Sequence, residues 1–126
     1  MLTNNQLENR QFFHQEHKEW LNQLNFYQDE IKFFQNELIL VLQKHYESLS
    51  ILDNVEDYRN IFLKKLQHID ELRYDISLHE KKLSGIMEQE PQDLDEHHQV
   101  RARLNEFVKD FELLKKNFRR FAAYND

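Results

Sequence analysis

The sequence predicts an all-α protein built as an antiparallel, up-down-up bundle of three long, coiled-coil-like helices. Three observations lead to this fold class. The 126 residues include one glycine and one proline, whereas average usage at this length would give roughly nine and six. Apolar residues recur with the alternating spacing of four and three that is typical of helices packed along a seam. Helix-breaking residues cluster at two places, which divide the chain into three segments.

The first predicted helix spans about residues 5–49. Small polar residues then collect in residues 48–54, where Asp53 followed by Glu56 has the form of a helix-starting capping box. We therefore expect the first turn near Ile51. The seam of this helix has no slip in its spacing and consists of Phe13, His17, Trp20, Leu24, Tyr27, Ile31, Phe34, Leu38, Val41 and His45.

The second predicted helix spans about residues 53–88 and carries a wider apolar stripe. A wide stripe is expected of a helix that contacts two neighbours. Ser84, Gly85 and Pro91 then end the helical pattern. The central line of the stripe repeats every seven residues at Val55, Phe62, Ile69, Ile76 and Leu83, with Tyr58, Leu72 and Ile86 on one side and Leu66 and Met87 on the other.

The third predicted helix spans about residues 93–124, and Asp93 with Glu96 repeats the capping pattern. Its seam consists of His97, Val100, Leu104, Phe107, Phe111, Leu114, Phe118 and Phe121. Short connections require consecutive helices to run antiparallel. We expect residues 1–126 to form a single helical-bundle domain, because this length suits one core.

Composition narrows the functional classes. No apolar run approaches the 18 residues that suggest a membrane span, and the amino terminus lacks the pattern of a signal peptide. We therefore expect a cytoplasmic protein. The absence of cysteine excludes disulfides, thiol catalysis and cysteine-based metal sites.

Histidines are concentrated in the third of the predicted bundle nearest the second turn. Counting back from a turn near Ile51 places His17 opposite Ile86 and Met87, with His79 about one turn further in. Counting from the second turn brings His97 to the same level. Imidazoles and carboxylates are ligands of zinc, manganese, iron and nickel, and bundle interiors present them convergently. The candidate ligands of a divalent transition metal are His14, His17, His79, Glu80, His97 and His98.

Two other interpretations of these histidines are open. His17, His45 and His97 occupy seam positions, where polar residues commonly hydrogen-bond and set the register of the helices. Seam histidines that become charged near pH 6 would also make the bundle sensitive to pH. The sequence contains neither the Glu-x-x-His pairs of di-iron bundles nor the His-Glu-x-x-His motif of zinc proteases, so no motif selects a metal.

A second line of apolar residues on the first helix lies outside the seam, at Phe12, Phe26, Phe33 and Leu40. The third helix could cover this line. If it does not, the line forms an exposed apolar strip, and such strips mark partner surfaces. The simplest partner is a second copy of the chain, which would give a six-helix homodimer.

The net charge of −6 conceals a basic carboxyl-terminal segment. Lys115, Lys116, Arg119 and Arg120 form a basic patch in the last turns of the third helix, where the helix dipole favours cations. Nucleic acid is an unlikely partner, because an acidic protein repels the phosphate backbone.

Catalysis is not expected from any other motif. One glycine cannot make a phosphate-binding loop, and the serines lack a nucleophile elbow. The histidine group is the one feature that leaves catalysis open. The sequence therefore predicts a non-catalytic module for protein contacts, with a structural or regulatory role and no cofactor. The alternative is a metal-binding bundle.

Overall fold

A computed structural model of the chain describes residues 4–85 and 91–125, and the side chains of residues 9–83 and 94–125. The described residues form three helices: α1 (Asn4–Lys44), α2 (Leu49–Gly85) and α3 (Pro91–Tyr124). No described residue lies in a β-strand. The predicted all-α three-helix bundle is confirmed.

The first turn lies earlier than the sequence predicted. α1 ends at Lys44 and α2 begins at Leu49, so Asp53 and Glu56 lie inside α2 and do not cap its start. The cap is Ser48, whose Oγ accepts a hydrogen bond from the backbone N–H of Ile51 at 3.4 Å. Serine is as good a capping residue as aspartate. The extra helical turn also packs Ile51 against the core.

The second connection falls on residues 86–90, which lie outside the described residues. The predicted end of the second helix at residue 88 falls there, as do Ile86 and Met87. α3 begins at Pro91, two residues before the predicted start at Asp93. Proline is favoured at the first position of a helix, because its fixed φ suits the helix and its missing N–H would have no partner there.

Ion pairs between the helices show their relative directions. On α1 and α3 the partners advance together, because Glu30 lies two heptads after Glu16 and Lys115 lies two heptads after Arg101. α1 and α3 are therefore parallel. On α2 and α3 the order reverses, because Lys82 contacts Glu96 whereas Asp75 contacts Arg103. α2 is therefore antiparallel to both of its neighbours.

The seam residues form one continuous core. Aromatic side chains contribute much of it, since Phe62, Phe107, Phe111 and Phe118 are fully buried. His45 is the exception to the predicted seam, since it follows the end of α1 and is half-buried. Its Nε2 lies 2.6 Å from the backbone oxygen of Asn125 and ties the turn to the end of α3.

No helix among the described residues contains a stretch that is both long enough and apolar enough to cross a membrane.

Candidate metal centre

Three histidines meet inside the bundle, one from each helix. His17 of α1, His79 of α2 and His97 of α3 are exposed by only 2%, 2% and 0%. One ring nitrogen from each can be chosen so that all three lie within 4.8 Å of one another. Among the described residues, this histidine triad is the only group of three or more potential ligands that converges in this way.

The local sequence explains why each ring points inward. His17 follows Phe13 by four residues and precedes Trp20 by three, so all three share the buried face of α1. His97 opens the seam of α3 three residues before Val100. On α2 the buried residues Leu72, Ile76, His79 and Leu83 are spaced four, three and four, which places His79 on the core face.

The earlier first turn brings His79 to the level of His17, whereas the predicted neighbours Ile86 and Met87 lie outside the described residues. His79 belongs to the seam itself, whereas counting from a turn near Ile51 placed it a turn further in. The spacing from Leu72 to Leu83 is the signal in the sequence that could have revealed this.

Hydrogen bonds define the orientation of the His17 ring. Its Nδ1 contacts Oε2 of Glu80, and its Nε2 lies 3.1 Å from Nδ1 of His79. An ionised carboxylate can only accept hydrogen bonds, so His17 donates from Nδ1 to Glu80. The Nε2 lone pair of His17 therefore points into the triad, where it accepts a hydrogen bond from His79.

The His97 ring is held in the same manner by a carboxylate on its outer side. Its Nε2 donates to Oε1 of Glu16 at 2.8 Å. The remaining nitrogen, Nδ1, is buried and has no hydrogen-bond partner among the described residues. His97 therefore also keeps an unused lone pair inside the protein.

Glu16 and Glu80 each have a second partner besides the histidine of the triad that they contact. Glu16 also pairs with Arg101 of α3, and Glu80 also contacts His14 of α1. Burial raises the pKa of Glu16, but its hydrogen bonds to Arg101 and His97 outweigh that effect and leave the pKa below the usual value. Hydrogen bonds from the two histidines lower the pKa of Glu80 against the same effect of burial. Both carboxylates are therefore ionised at neutral pH.

Two members of the triad, His17 and His97, are neutral at neutral pH. Burial lowers the pKa of His97 to about 4, although Glu16 opposes the shift. Burial likewise lowers the pKa of His17 against the opposing effect of Glu80. Only a neutral imidazole can act as a metal ligand, so these two side chains are in the protonation state that coordination requires.

Aromatic rings enclose the triad. Phe13 stacks on His97 with ring centroids 3.8 Å apart, and Trp20 stacks on it at 4.9 Å. Trp20 also lies 5.4 Å from the ring of His17. The single tryptophan of the chain is therefore in direct contact with two members of the triad.

The dimensions of the triad fit a tetrahedral metal ion after a small contraction. Zinc–nitrogen bonds of about 2.0–2.1 Å in a tetrahedral site place ligand nitrogens about 3.3 Å apart. The separation of 3.1 Å between Nε2 of His17 and Nδ1 of His79 is already close to this value, and coordination by these two atoms would move the His79 proton from Nδ1 to Nε2. The 4.8 Å limit of the whole group requires one ring to move inward by an ångström or two.

The other predicted ligands lie outside the triad. His14 is 53% exposed and contacts Glu80 at the surface. His98 is exposed and is not part of the converging group. Glu80 belongs to the surroundings of the triad, since it contacts the ring nitrogen of His17 that points away from His79.

The two predicted surface features differ in how accessible they are. The apolar strip (Phe12, Phe26, Phe33 and Leu40) is uncovered, because each of its side chains is between 56% and 59% exposed. Within the basic patch, Lys116 and Arg120 are exposed. Lys115 is largely buried in an ion pair with Glu30 at 2.7 Å, and Arg119 lies over the ring of Phe34. Half of the predicted basic patch thus has partners within the bundle.

The chain was compared with protein-family models, with curated protein sequences and with solved structures. None of them matches it.

Proposed function

We propose that the protein binds one divalent transition metal ion through His17, His79 and His97. The observation that carries this proposal is the convergence of three buried imidazoles, one from each helix, with the His97 Nδ1 lone pair unused. Glu16 and Glu80 would act as outer partners of the ligands. Metal-bound histidines usually donate their other N–H to a carboxylate in this way, which fixes the tautomer and strengthens the ligand.

Register-setting alone accounts less well for this arrangement. Leaving a buried polar atom without a hydrogen bond costs about 1–3 kcal/mol, and His97 contains such an atom among the described residues. A polar residue that only sets the register would be expected to satisfy its hydrogen bonds within the seam. Coordination of a metal would use the His97 lone pair and offset that cost.

The ligand chemistry favours zinc and its neighbours over magnesium or calcium. Three neutral imidazoles suit zinc, copper, nickel and cobalt, whereas hard cations prefer oxygen donors. Because each helix contributes one ligand, the ion would crosslink all three helices in the part of the bundle where α2 ends and α3 begins. We expect the ion to stabilise the folded state.

Metal titration of the purified, chelator-treated protein tests the proposal. Quenching of Trp20 fluorescence by added Cu²⁺ or Ni²⁺ should saturate at one ion per chain, because the indole contacts His17 and His97. Zn²⁺ at 100 times its dissociation constant should raise the melting temperature by roughly 10 °C.

Two variants separate the triad from other surface ligands. His97→Gln should abolish saturable quenching and the thermal shift, with its helical fold checked by circular dichroism. His98→Ala removes the exposed histidine next in the chain and should leave both effects intact. Equal binding by the two variants, or no saturable binding by the wild type, would show that the triad is not a metal site.

We propose, as a second function, that the apolar strip of α1 mediates homodimerisation. The supporting observation is that all four of its side chains are more than half exposed, which leaves about 100 Å² of apolar surface on each aromatic ring. The spacing of three of them suits a second copy. In an antiparallel pair of α1 helices related by a two-fold axis beside Phe26, Phe12 faces Leu40 of the second chain and Phe26 faces its own counterpart.

Light scattering across a concentration series tests dimerisation. The wild type should approach twice the monomer mass, and the variant Phe26→Glu, Phe33→Glu should remain monomeric. The matched control, Leu63→Glu with Tyr74→Glu, introduces the same charges at exposed apolar positions of α2 and should still dimerise. A wild type that stays monomeric at high concentration would contradict the proposal.

A further inference from the structure

The triad supplies three ligands, whereas zinc-type ions in proteins almost always have four. Among the described residues no carboxylate joins the converging group. The two nearest carboxylates are already committed to outer positions. Glu80 contacts the ring nitrogen of His17 that points away from His79, and Glu16 contacts Nε2 of His97, on the side opposite the unused Nδ1.

Each of these carboxylates also contacts a second partner, and that contact would break if the carboxylate moved towards the triad. Oε1 of Glu80 contacts His14, and Oε1 of Glu16 contacts Arg101 as well as His97. A carboxylate that turned to coordinate the ion would leave both of its present contacts. Three protein ligands with one further position is the arrangement of zinc sites that bind or activate a small molecule, whereas structural sites are closed by four protein ligands.

A cleft between α2 and α3 reaches the triad. It has a volume of about 120 Å³, and His79 and Val100 are among its lining residues. Since a water molecule in the liquid takes up about 30 Å³, the cleft has room for a few atoms. His79 is the member of the triad that borders it.

Two ion pairs border the cleft, and their cations have more N–H donors than the pairs use. Lys82 pairs with Glu96 at 3.1 Å, and Arg103 pairs with Asp75 at 2.9 Å, each across the gap between α2 and α3. An ammonium has three N–H donors and a guanidinium has five. Because each cation is paired with a carboxylate, the two pairs together carry no net charge, and their remaining N–H groups can donate hydrogen bonds to an anion or to water.

We infer that an ion held by His17, His79 and His97 keeps one coordination position for a small monovalent anion or water, which reaches it through the cleft between α2 and α3. This inference rests on the proposed metal binding. It gives the site a ligand class that the triad alone does not define, because cavity size limits the ligand to a few atoms and the positive charge of an ion held by three neutral imidazoles favours an anion.

The cobalt-substituted protein tests the inference with azide as the probe. Co²⁺ replaces zinc in such sites and absorbs visible light in a manner that depends on its ligands. At constant ionic strength, azide should change the Co²⁺ spectrum along a saturable curve with one azide per ion. A Co²⁺ spectrum unchanged by azide would overturn the inference and leave metal binding intact, whereas failure to bind Co²⁺ would overturn both.

A pair of variants tests the route. Leu78 borders the cleft and is 42% exposed, so Leu78→Phe narrows the cleft without entering the core. It should weaken azide binding at least fivefold while the azide-free Co²⁺ spectrum stays unchanged. Leu63→Phe makes the same substitution at an exposed position of α2 outside the cleft and should bind azide as the wild type does. Equal azide affinity in the two variants would overturn the route through the cleft.

Discussion

Two layers of the core are built alike and differ in chemistry. In one layer Phe34, Phe62 and Phe118, one from each helix, have ring centroids 5.0–6.1 Å apart. In the other layer the rings of the histidine triad lie 5.1–5.3 Å apart. The same backbone arrangement therefore accommodates either kind of ring. Because phenylalanine serves the fold in the first layer, packing alone does not require histidines in the second.

The energetics of the two layers differ in origin. Burying a phenylalanine stabilises the fold by about 1.5–3 kcal/mol. Burying an imidazole removes a polar group from water, and the stabilisation gained depends on its hydrogen bonds. His17 and His79 bond to each other, whereas His97 keeps Nδ1 unpartnered among the described residues. In the metal-free protein the phenylalanine layer should thus stabilise the fold more than the histidine layer does.

The largest expected effect comes from breaking the phenylalanine layer. Phe118 is fully buried between its two partners, so Phe118→Ala should lower the free energy of unfolding by about 3–5 kcal/mol. Urea denaturation with and without Zn²⁺ measures this loss, which should be the same in both conditions because the layer binds no metal. A loss below about 1 kcal/mol would mean that the layer is not packed as described.

Acid should act on the histidine layer of the metal-free protein. The pKa of His97 is about 4 in the folded protein and 6.5 for the free side chain, so the unfolded chain binds more protons between these values. The free energy of unfolding should therefore be at its full value above pH 6.5 and fall as the pH drops towards 4. The loss from His97 alone is roughly 3 kcal/mol.

Urea denaturation at a series of pH values measures this dependence. The charged groups around His17 and His97 include two carboxylates, Glu16 and Glu80, and the cation Arg101. The two carboxylates have lowered pKa values, so they should extend the loss of stability below pH 4.5. A curve that is flat between pH 6.5 and 4 would contradict the neutral, buried state of His97.

Part of the arrangement of the two layers could be predicted from the sequence. The alternating spacing of the seam identified both layers on α1 and α3, because that spacing places His17 and His97 on the same buried stripe as Phe34 and Phe118. The position of the first turn could not be predicted with the same certainty. Ser48 and Asp53 are comparable caps, and the packing of Ile51 against the core decides between them. That choice moves His79 to the level of His17.

The orientation of the histidine rings could not be predicted from the sequence. Which nitrogen of His97 contacts Glu16, and which is left unpartnered, depends on side-chain rotations that no spacing encodes. The exposure of Phe26 and Phe33 was likewise undecided, because it depends on how far α3 wraps around α1. The sequence thus predicted the seam, whereas the chemistry of the candidate site required the packed structure.

Placing a phenylalanine in the histidine layer tests directly how the two layers differ. In the metal-free protein His97→Phe replaces the unpartnered imidazole with an apolar ring and should raise the free energy of unfolding by about 1–2 kcal/mol. It should also remove the thermal shift produced by Zn²⁺ and flatten the pH dependence between 4 and 6.5. These opposite effects on stability and on metal binding distinguish a ligand from a packing residue. A metal-free variant less stable than the wild type would show that His97 stabilises the fold by itself.

The smallest expected effect concerns the ion pairs that flank the two regions. Glu16 and Glu30 occupy equivalent positions two heptads apart on α1, and their partners on α3 are Arg101 and Lys115. Glu16 also accepts a hydrogen bond from His97, whereas Oε2 of Glu30 is buried without a partner among the described residues.

The guanidinium fork of arginine can contact both oxygens of a carboxylate, which an ammonium does less well. Lys115→Arg should therefore raise the free energy of unfolding by about 0.5–1 kcal/mol. Urea denaturation at low and high salt measures the gain, with Lys116→Arg as the control at the neighbouring exposed position. If both substitutions have the same effect, the unpartnered oxygen of Glu30 does not limit the stability of that pair.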